Sequence, residues 1–147
     1  MSPRFAIVVS SFNPEVTDGL LGGATGFLRD HKIPFGDDDL YCAPGAFEIP
    51  LLAQALAQGG RYDGVICLGC VIKGDTAHFE FISLGATVGL QQVALATQKP
   101  VTFGILTTYT DEQAVVRSRS DSHNKGVEAA AACLSAWETL QKIRKTV

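Results

Sequence analysis

The segment 69–76, GCVIKGDT, differs by one residue from the nucleotide-binding P-loop pattern GxxxxGK[ST]. Asp75 stands where that pattern needs the lysine that contacts the β- and γ-phosphates, so the segment does not predict a nucleotide triphosphatase. Gly74 allows the chain to turn, and Asp75 or Thr76 can cap the helix that follows. The free N–H groups of that helix's first turn would bind an anion without any lysine. The segment therefore predicts a different kind of phosphate site.

His78 lies two residues further on, in the first turn of the predicted helix. A neutral imidazole can take and return a proton, as general acid–base catalysis requires. The alternative is a surface histidine packed beside Phe79.

Two other predicted strand ends carry side chains suited to a polar heterocycle. Phe12 either offers a platform on which a flat ring stacks or packs onto the next helix as a hydrophobic staple. Glu48, in PGAFEIP (44–50), either accepts hydrogen bonds from a sugar or polyol hydroxyl or complements a helix N-terminus. Both alternatives remain open for each residue.

The last predicted strand is followed by three basic side chains. Arg117 and Arg119 lie near the end of a short helix, and Lys125 lies in the turn SHNKG (122–126). An arginine at the mouth of a site can bind a phosphate through two hydrogen bonds. Because Arg117 and Arg119 are two positions apart and face different ways, at most one should serve, and periodicity does not choose between them. Phe103, within the strand, is predicted to lie in the core, although its backbone could border a ligand.

Cys67 and Cys70 form a CxxC pair, a spacing found in redox and zinc sites. Both lie in GVICLGCVI (64–72), which is typical of a buried strand. Residues three apart on a strand point to opposite faces, so the two thiols should not meet. A second ligand pair at a spacing suited to zinc is also missing from the sequence. We therefore expect buried cysteines and no metal.

Strands and helices alternate along the predicted chain. Apolar runs predict strands at 4–12, 39–43, 62–72 and 100–108; periods near 3.6 predict helices at 14–30, 48–58 and 77–97, a short one from 111 and a last one from 124. This alternation predicts one domain, 1–147, with an α/β/α sandwich around a mostly parallel four-stranded sheet. Ligands bind such sheets at the carboxyl ends of the strands, where the side chains described above lie.

Composition narrows the functional class. Of 147 residues, 46% are hydrophobic and 18% are charged, and the formal net charge is −3. This mild acidity argues against a nucleic-acid surface, and the only basic cluster, QKIRK (141–145), is more typical of the solvated end of a helix. The apolar run Phe5–Val9 is too short for a signal-peptide core or a membrane span, so we expect a cytoplasmic protein without membrane association.

Five stretches occur here in the order and spacing typical of the lumazine synthase family. They are SSFN (10–13), PGAFEIP (44–50), GCVIKGDTAHFEFI (69–82), FGILTT (103–108) and HNKG (123–126). The resemblance covers nearly the whole chain and implies a fold of flavodoxin-like topology. It also implies an enzyme of riboflavin biosynthesis that uses neither cofactor nor metal. That enzyme condenses 5-amino-6-(D-ribitylamino)uracil with 3,4-dihydroxy-2-butanone 4-phosphate, giving 6,7-dimethyl-8-ribityllumazine, phosphate and water.

The resemblance assigns residues to the two substrates. Those implied for the ribitylaminouracil are Phe12, Ala46, Phe47, Glu48, Cys70, Val71, Ile72 and Phe103. Those implied for the butanone phosphate are Asp75, Thr76, Arg117 (rather than Arg119) and Lys125, and His78 is the implied catalytic proton carrier. Two positions depart from the commonest family pattern, because Lys73 replaces an arginine and Asp75 replaces a small residue.

The resemblance also implies assembly. The family's minimal unit is a pentamer whose sites are shared between neighbours, and decamers and sixty-subunit shells also occur. We therefore expect Phe12, Glu48 and His78 from one chain to meet Phe103, Arg117 and Lys125 from the next, with riboflavin synthase as a possible partner. The alternatives are a non-catalytic flavin-binding or shell-forming member, and an archaeal-type riboflavin synthase, which would use lumazine alone.

Overall fold

The computed structural model describes residues 2–147, and its elements follow the predicted alternation. The strands are β1 (Phe5–Ser10), β2 (Leu40–Ala43), β3 (Gly64–Ile72) and β4 (Val101–Thr108). The helices are α1 (Pro14–Asp30), α2 (Ile49–Gln58), α3 (His78–Thr97), α4 (Asp111–Val116) and α5 (Lys125–Arg144). Short 3₁₀ turns at Asp37–Asp39 and Ala46–Glu48 precede β2 and α2.

The four strands that these residues form pair in the order β2-β1-β3-β4, and every pairing is parallel. The predicted sandwich is therefore confirmed. The central strands β1 and β3 are buried almost throughout, as expected when helices cover both faces of a parallel sheet. The outer strands β2 and β4 are only partly covered.

Each face of the sheet has its own apolar core. The first lies beneath α1 and α5 and includes Leu20, Leu28 and Cys70, whereas the second lies beneath α2 and α3 and includes Ile49 and Cys67. The two cysteines thus lie on opposite faces, which confirms the prediction from strand alternation. Burial raises the pKa of the Cys70 thiol to about 11, so this thiol is not a ready nucleophile.

A polar network joins the elements at the amino ends of the strands. The buried Asp39 carboxylate accepts hydrogen bonds from the Arg4 guanidinium, the Arg61 guanidinium and the Tyr62 hydroxyl, and from the Gly36 N–H. Burial by itself would raise the pKa of Asp39, but these hydrogen bonds outweigh it and hold the pKa below its ordinary value. The network anchors β1, β2 and the α2–β3 loop at the end of the sheet remote from the strands' carboxyl ends.

Helix α3 packs against the sheet on one side and leaves much of its apolar surface uncovered. Phe81, Leu84, Val88 and Leu95 are all exposed large apolar side chains of this helix. By length and composition alone α3 would pass as a membrane-spanning helix, although only 17% of that segment is buried. Such a helix indicates a surface that is covered by something else in the functional protein.

Candidate functional site

A cavity of about 570 Å³ opens at the carboxyl ends of β1 and β3. The site residues predicted from the sequence that line it are Phe12, Ala46, Phe47, Glu48, Cys70, Val71, Ile72, Thr76 and His78. They come from the β1–α1 loop, the 3₁₀ turn before α2, the end of β3 and the start of α3. Parallel strands bring these four segments to one edge of the sheet because their carboxyl ends coincide there.

Two aromatic rings form apolar walls of this cavity. Phe12 is 65% exposed and Phe47 is 57% exposed, although both are large apolar side chains. The exposure of Phe12 does not support the staple alternative, since a staple would bury the ring against α1. Exposed rings beside a cavity provide stacking surfaces for a planar ligand.

The end of β3 has an unpaired edge. β1 pairs with β3 as far as the Val9–Leu68 register, and β3 then continues to Ile72. Backbone groups alternate between the two sides of a strand, so Cys70 and Ile72 face the side that β1 has vacated, whereas Val71 faces β4. The Asn13 amide fills part of this gap, since its Nδ2 donates to the Cys70 carbonyl at 3.0 Å. The remaining edge offers backbone groups to a heterocycle.

The turn between β3 and α3 is held at both of its ends. The Lys73 N–H donates to the Thr108 carbonyl at 2.9 Å, and Lys73 Nζ lies 2.6 Å from Glu80 Oε1. The hydrogen bond from Lys73 lowers the pKa of the Glu80 carboxyl. Thr76 Oγ1 accepts the His78 N–H at 3.3 Å and so satisfies one N–H at the start of α3, although Ala77 occupies the N-cap position.

Asp75 lies apart from the cavity. The carboxylate neither caps α3 nor lines the cavity, while Gly74 and Thr76 on either side do line it. A negative side chain is thus kept out of the space that an anion would occupy. The N–H of Phe79, in the first turn of α3, lacks an intrahelical acceptor and is available to such an anion.

His78 is the first residue of α3, and its exposed side chain lines the cavity. The alternative of a histidine packed beside Phe79 gains no support, because the Phe79 ring instead lies near Tyr109 and Lys73. An accessible imidazole at the edge of a ligand-sized cavity can exchange protons with a bound molecule.

Three predicted site residues lie in a second cavity. Phe103, Arg117 and Lys125 line a space of about 330 Å³ beside the edge strand β4, separate from the cavity that His78 lines. Arg119 does not line this second cavity. The prediction that Phe103 lies in the core is wrong: the ring is 38% exposed, because β4 is an edge strand and its neighbouring helices leave this position uncovered.

Both cations of the second cavity are held by their own elements. Arg117 directly follows α4 as its C-cap residue, and its Nη1 donates to the Gln113 carbonyl at 2.9 Å. Lys125 begins α5, and its Nζ lies 2.9 Å from Glu128 Oε1. Arg117 donates to a neutral carbonyl and Lys125 pairs with one carboxylate, so these two cations and Glu128 together keep a net positive charge. The second cavity therefore offers net positive charge to an anion.

Two polar residues that line the larger cavity, Asn13 and Asp111, were not predicted as site residues from the sequence. Asn13 precedes α1 in the left-handed conformation, with φ 56°, which asparagine tolerates better than most residues. The position of Asn13 between the end of a strand and Pro14 was the sequence signal that could have identified it as a cavity residue. Asp111 follows the end of β4, and strand-end position was again the available signal.

Among residues 2–147, the structure contains no group of three or more His, Cys, Asp or Glu side chains arranged to hold a metal ion. The polar groups of the two cavities are instead suited to hydrogen bonding and to anion binding.

Comparison with known proteins gives consistent matches. A family model described as 6,7-dimethyl-8-ribityllumazine synthase matches residues 2–141. The protein named 6,7-dimethyl-8-ribityllumazine synthase 1 from Caulobacter vibrioides is 65% identical over 143 residues, which cover 97% of this chain and 94% of its own. Proteins named 6,7-dimethyl-8-ribityllumazine synthase from Nitratidesulfovibrio vulgaris and Salinibacter ruber are 45% and 46% identical over 140 residues, covering 95% of this chain and 90% of theirs.

Proposed function

The chain belongs to the 6,7-dimethyl-8-ribityllumazine synthase family, and we propose that it catalyses the condensation of 5-amino-6-(D-ribitylamino)uracil with 3,4-dihydroxy-2-butanone 4-phosphate. The products are 6,7-dimethyl-8-ribityllumazine, phosphate and water, which makes the enzyme a transferase of riboflavin biosynthesis. The observation that carries this proposal is the cavity in which Phe12, Glu48 and His78 meet. Phe12 provides a stacking surface, Glu48 accepts hydrogen bonds from hydroxyl groups, and His78 carries protons.

In this proposal the larger cavity binds the ribitylaminouracil. The pyrimidine stacks on Phe12, and its polar edge pairs with the unpaired backbone at Cys70 and Ile72. The ribityl chain extends along the 3₁₀ turn 46–48, where Glu48 accepts a hydroxyl hydrogen bond. Val71 then contributes its side chain rather than its backbone, because its N–H and C=O face β4.

The butanone phosphate binds between two chains in this proposal. The first turn of α3 and Thr76 supply hydrogen-bond donors on one side, and Arg117 and Lys125 of a neighbouring chain supply positive charge on the other. The separation of the two cavities within one chain supports a shared site, since neither contains both the proton carrier and the cations. Phe103 of the neighbour completes the wall around the pyrimidine.

The reaction follows from this arrangement. The 5-amino group of the uracil attacks the ketone, and loss of water gives an imine. His78 moves protons while the phosphate leaves, and Arg117 with the start of α3 stabilises the departing anion. The ribityl-bearing nitrogen then closes the ring, again with loss of water. Much of the acceleration comes from holding two reactive molecules together in the correct orientation.

A homopentamer, or a multiple of it, is part of the same proposal. Phe81, Val88 and Leu95 recur every seven residues along α3, with Leu84 three residues after Phe81. Two of these side chains, Phe81 and Leu95, are 71% and 69% exposed. A heptad of apolar residues favours packing against the same helix of other copies around a shared axis. Contacts of this kind would also explain an apolar α3 without any membrane.

The proposal extends to the location of the protein in the cell and to its partner. We place the protein in the cytoplasm, because its proposed substrates are small polar molecules with no need of a membrane. Riboflavin synthase is a candidate partner, since it would consume the lumazine that this reaction supplies.

An absorbance assay for lumazine formation from the two purified substrates tests the activity directly. Lumazine should accumulate only when both substrates are present. A non-catalytic flavin-binding or shell-forming protein would bind flavins without making lumazine. A riboflavin synthase of the archaeal type would convert lumazine alone to riboflavin. Either result would contradict the proposal.

A further inference from the structure

We infer that Asn124 is a positioning residue that fixes Arg117 and Lys125 for phosphate binding by tying the α4–α5 loop (117–124) to α1. This inference rests on the proposed phosphate role of those two cations. Asn124 itself lines neither the cavity of Arg117 nor that of His78, so it would act through the loop rather than on the substrate.

The Asn124 amide is buried and fully hydrogen-bonded. Only 1% of the residue is exposed. Its Nδ2 donates to the Gly19 carbonyl of α1 at 3.0 Å and to the Arg119 carbonyl at 2.8 Å. Its Oδ1 accepts the N–H groups of Gly126 and Val127 at 2.8 and 3.2 Å. Both donors meet carbonyls and the acceptor meets only N–H groups, so a single orientation of the amide satisfies all four contacts.

These four bonds join three elements at one point. Oδ1 caps the start of α5, one donor holds the middle of the α4–α5 loop, and the other holds α1. The approach of α1 is close enough to exclude a side chain at two of its positions. A Cβ at Gly23 would overlap the Asn124 amide, and a Cβ at Gly19 would overlap the Ser118 carbonyl. The loop is thus seated directly on the backbone of α1.

Arg117 is the first residue of this loop, and Lys125 directly follows its last residue. The Lys125 N–H donates to the Arg117 carbonyl at 2.8 Å, which holds the two residues side by side. Asn124 is the neighbour of Lys125, and its N–H donates to the Asp121 carbonyl at 3.2 Å. Loss of the amide donors would release the loop from α1 and allow both cations to shift. A displacement of about 1 Å is enough to change the use of a substrate markedly.

Two substitutions separate positioning from helix capping. Asn124→Asp keeps two acceptor oxygens for the start of α5 but places a carboxylate against the Gly19 and Arg119 carbonyls. Asn124→Ser keeps a capping hydroxyl and is too short to bridge to α1. We expect each variant to raise the Michaelis constant for the butanone phosphate roughly tenfold, with less than about twofold change for the ribitylaminouracil. In an Arg117→Ala background, either substitution should raise this constant by a smaller factor than it does alone, because only Lys125 is then left to be displaced.

Leu28→Ala provides the matched control. Leu28 is buried on α1 near the opposite end of the helix, so its truncation lowers stability without touching the loop. Equal changes in both Michaelis constants, or the same pattern in Leu28→Ala, would overturn the inference by indicating general destabilisation. If the Michaelis constant for the butanone phosphate were raised in Arg117→Ala but unchanged in both Asn124 variants, the inference about Asn124 would be overturned. The proposed phosphate role of Arg117 would still stand. An unchanged constant in Arg117→Ala would overturn the proposed phosphate role and this inference with it.

Discussion

His78 owes its proposed role to its position more than to any unusual surroundings. It begins α3, its side chain is accessible, and its backbone N–H is already bonded to Thr76. The imidazole is therefore free to meet a ligand in the cavity. Because the reactants are intrinsically reactive, proton transfer should account for part of the acceleration and orientation for the rest.

We expect His78→Ala to lower kcat by about 100-fold, near the smaller end of typical acid–base contributions. Substrate affinities should change little, because the binding surfaces remain. Steady-state lumazine formation measures both quantities. His31→Ala is the matched control, since that histidine stacks on Phe27 at the far end of α1 and should leave kcat unchanged. A folded His78→Ala protein with normal binding and no activity above background would contradict this division of labour.

Arg117 and Arg119 have the same side chain but different positions relative to the second cavity, so substitutions of the two can be compared directly. Arg117→Ala should raise the Michaelis constant for the butanone phosphate by about 10- to 100-fold, as expected for loss of hydrogen bonds to a charged group. Arg119→Ala, which does not alter the second cavity, should have little effect. Initial-rate measurements with each substrate varied in turn provide the comparison. Equal effects of the two substitutions would argue against the assignment of Arg117.

At the scale of elements, the unequal lengths of β1 and β3 create the backbone edge to which we propose that the pyrimidine binds. β1 ends at Ser10, while β3 runs on past its last β1 partner at Leu68. The sheet therefore presents unpaired backbone inside a cavity without exposing a whole edge strand. Asn13 fills part of that gap and connects the start of α1 to Cys70. In the proposed binding mode, the difference in strand length would contribute to recognition of the pyrimidine together with the side chains.

The opposite end of the sheet depends on Asp39. Asp39→Asn should lower the free energy of unfolding by about 1.5–3 kcal/mol, since hydrogen bonds to a buried charged group are lost. Because the pKa of Asp39 is lowered in the folded protein, its contribution is complete above the ordinary value of 3.8 and is lost as the pH falls below it. The difference between wild type and Asp39→Asn should therefore shrink below that pH.

Urea unfolding at several pH values measures this difference. Asp37→Asn is the control, because Asp37 is exposed in the same 3₁₀ turn and should change stability by less than about 0.5 kcal/mol. A difference between wild type and Asp39→Asn that grew on acidification would contradict the lowered pKa. Activity at neutral pH should persist in Asp39→Asn, since the network is remote from both cavities.

At the scale of the whole molecule, the question is whether one site needs two chains. Mixed assemblies of His78→Ala and Arg117→Ala test this sharply. If each site takes His78 from one chain and Arg117 from the next, an equal mixture restores about a quarter of the sites. If both residues served within one chain, the mixture would show no restoration beyond the average of the two variants.

A second mixture provides the control for this experiment. Wild type reassembled with the His78→Ala/Arg117→Ala double variant should retain about a quarter of the sites if they are shared, but about half if each chain is self-sufficient. Sedimentation velocity on the same samples gives the assembly size. A monomer at working concentration with full activity would contradict both the shared site and the apolar contact through α3.

The sequence by itself determined the alternating elements, the parallel sandwich and the opposite orientations of Cys67 and Cys70. These features depend on local periodicity and on strand alternation, which neighbouring residues specify. It also predicted an anion-binding turn after β3, because glycine followed by a threonine able to cap a helix is a local signal. The resemblance of the sequence to the lumazine synthase family supplied the expected reaction and the expected roles of the site residues.

Only the tertiary structure decided which distant residues share a cavity. Arg117 rather than Arg119 lies beside Phe103 and Lys125, and Phe103 is exposed because β4 lies at the edge of the sheet. The amides of Asn13 and Asn124 find partners 57 and 105 residues away along the chain. Such contacts depend on how helices and strands pack against one another, and a local pattern of residues does not specify that packing.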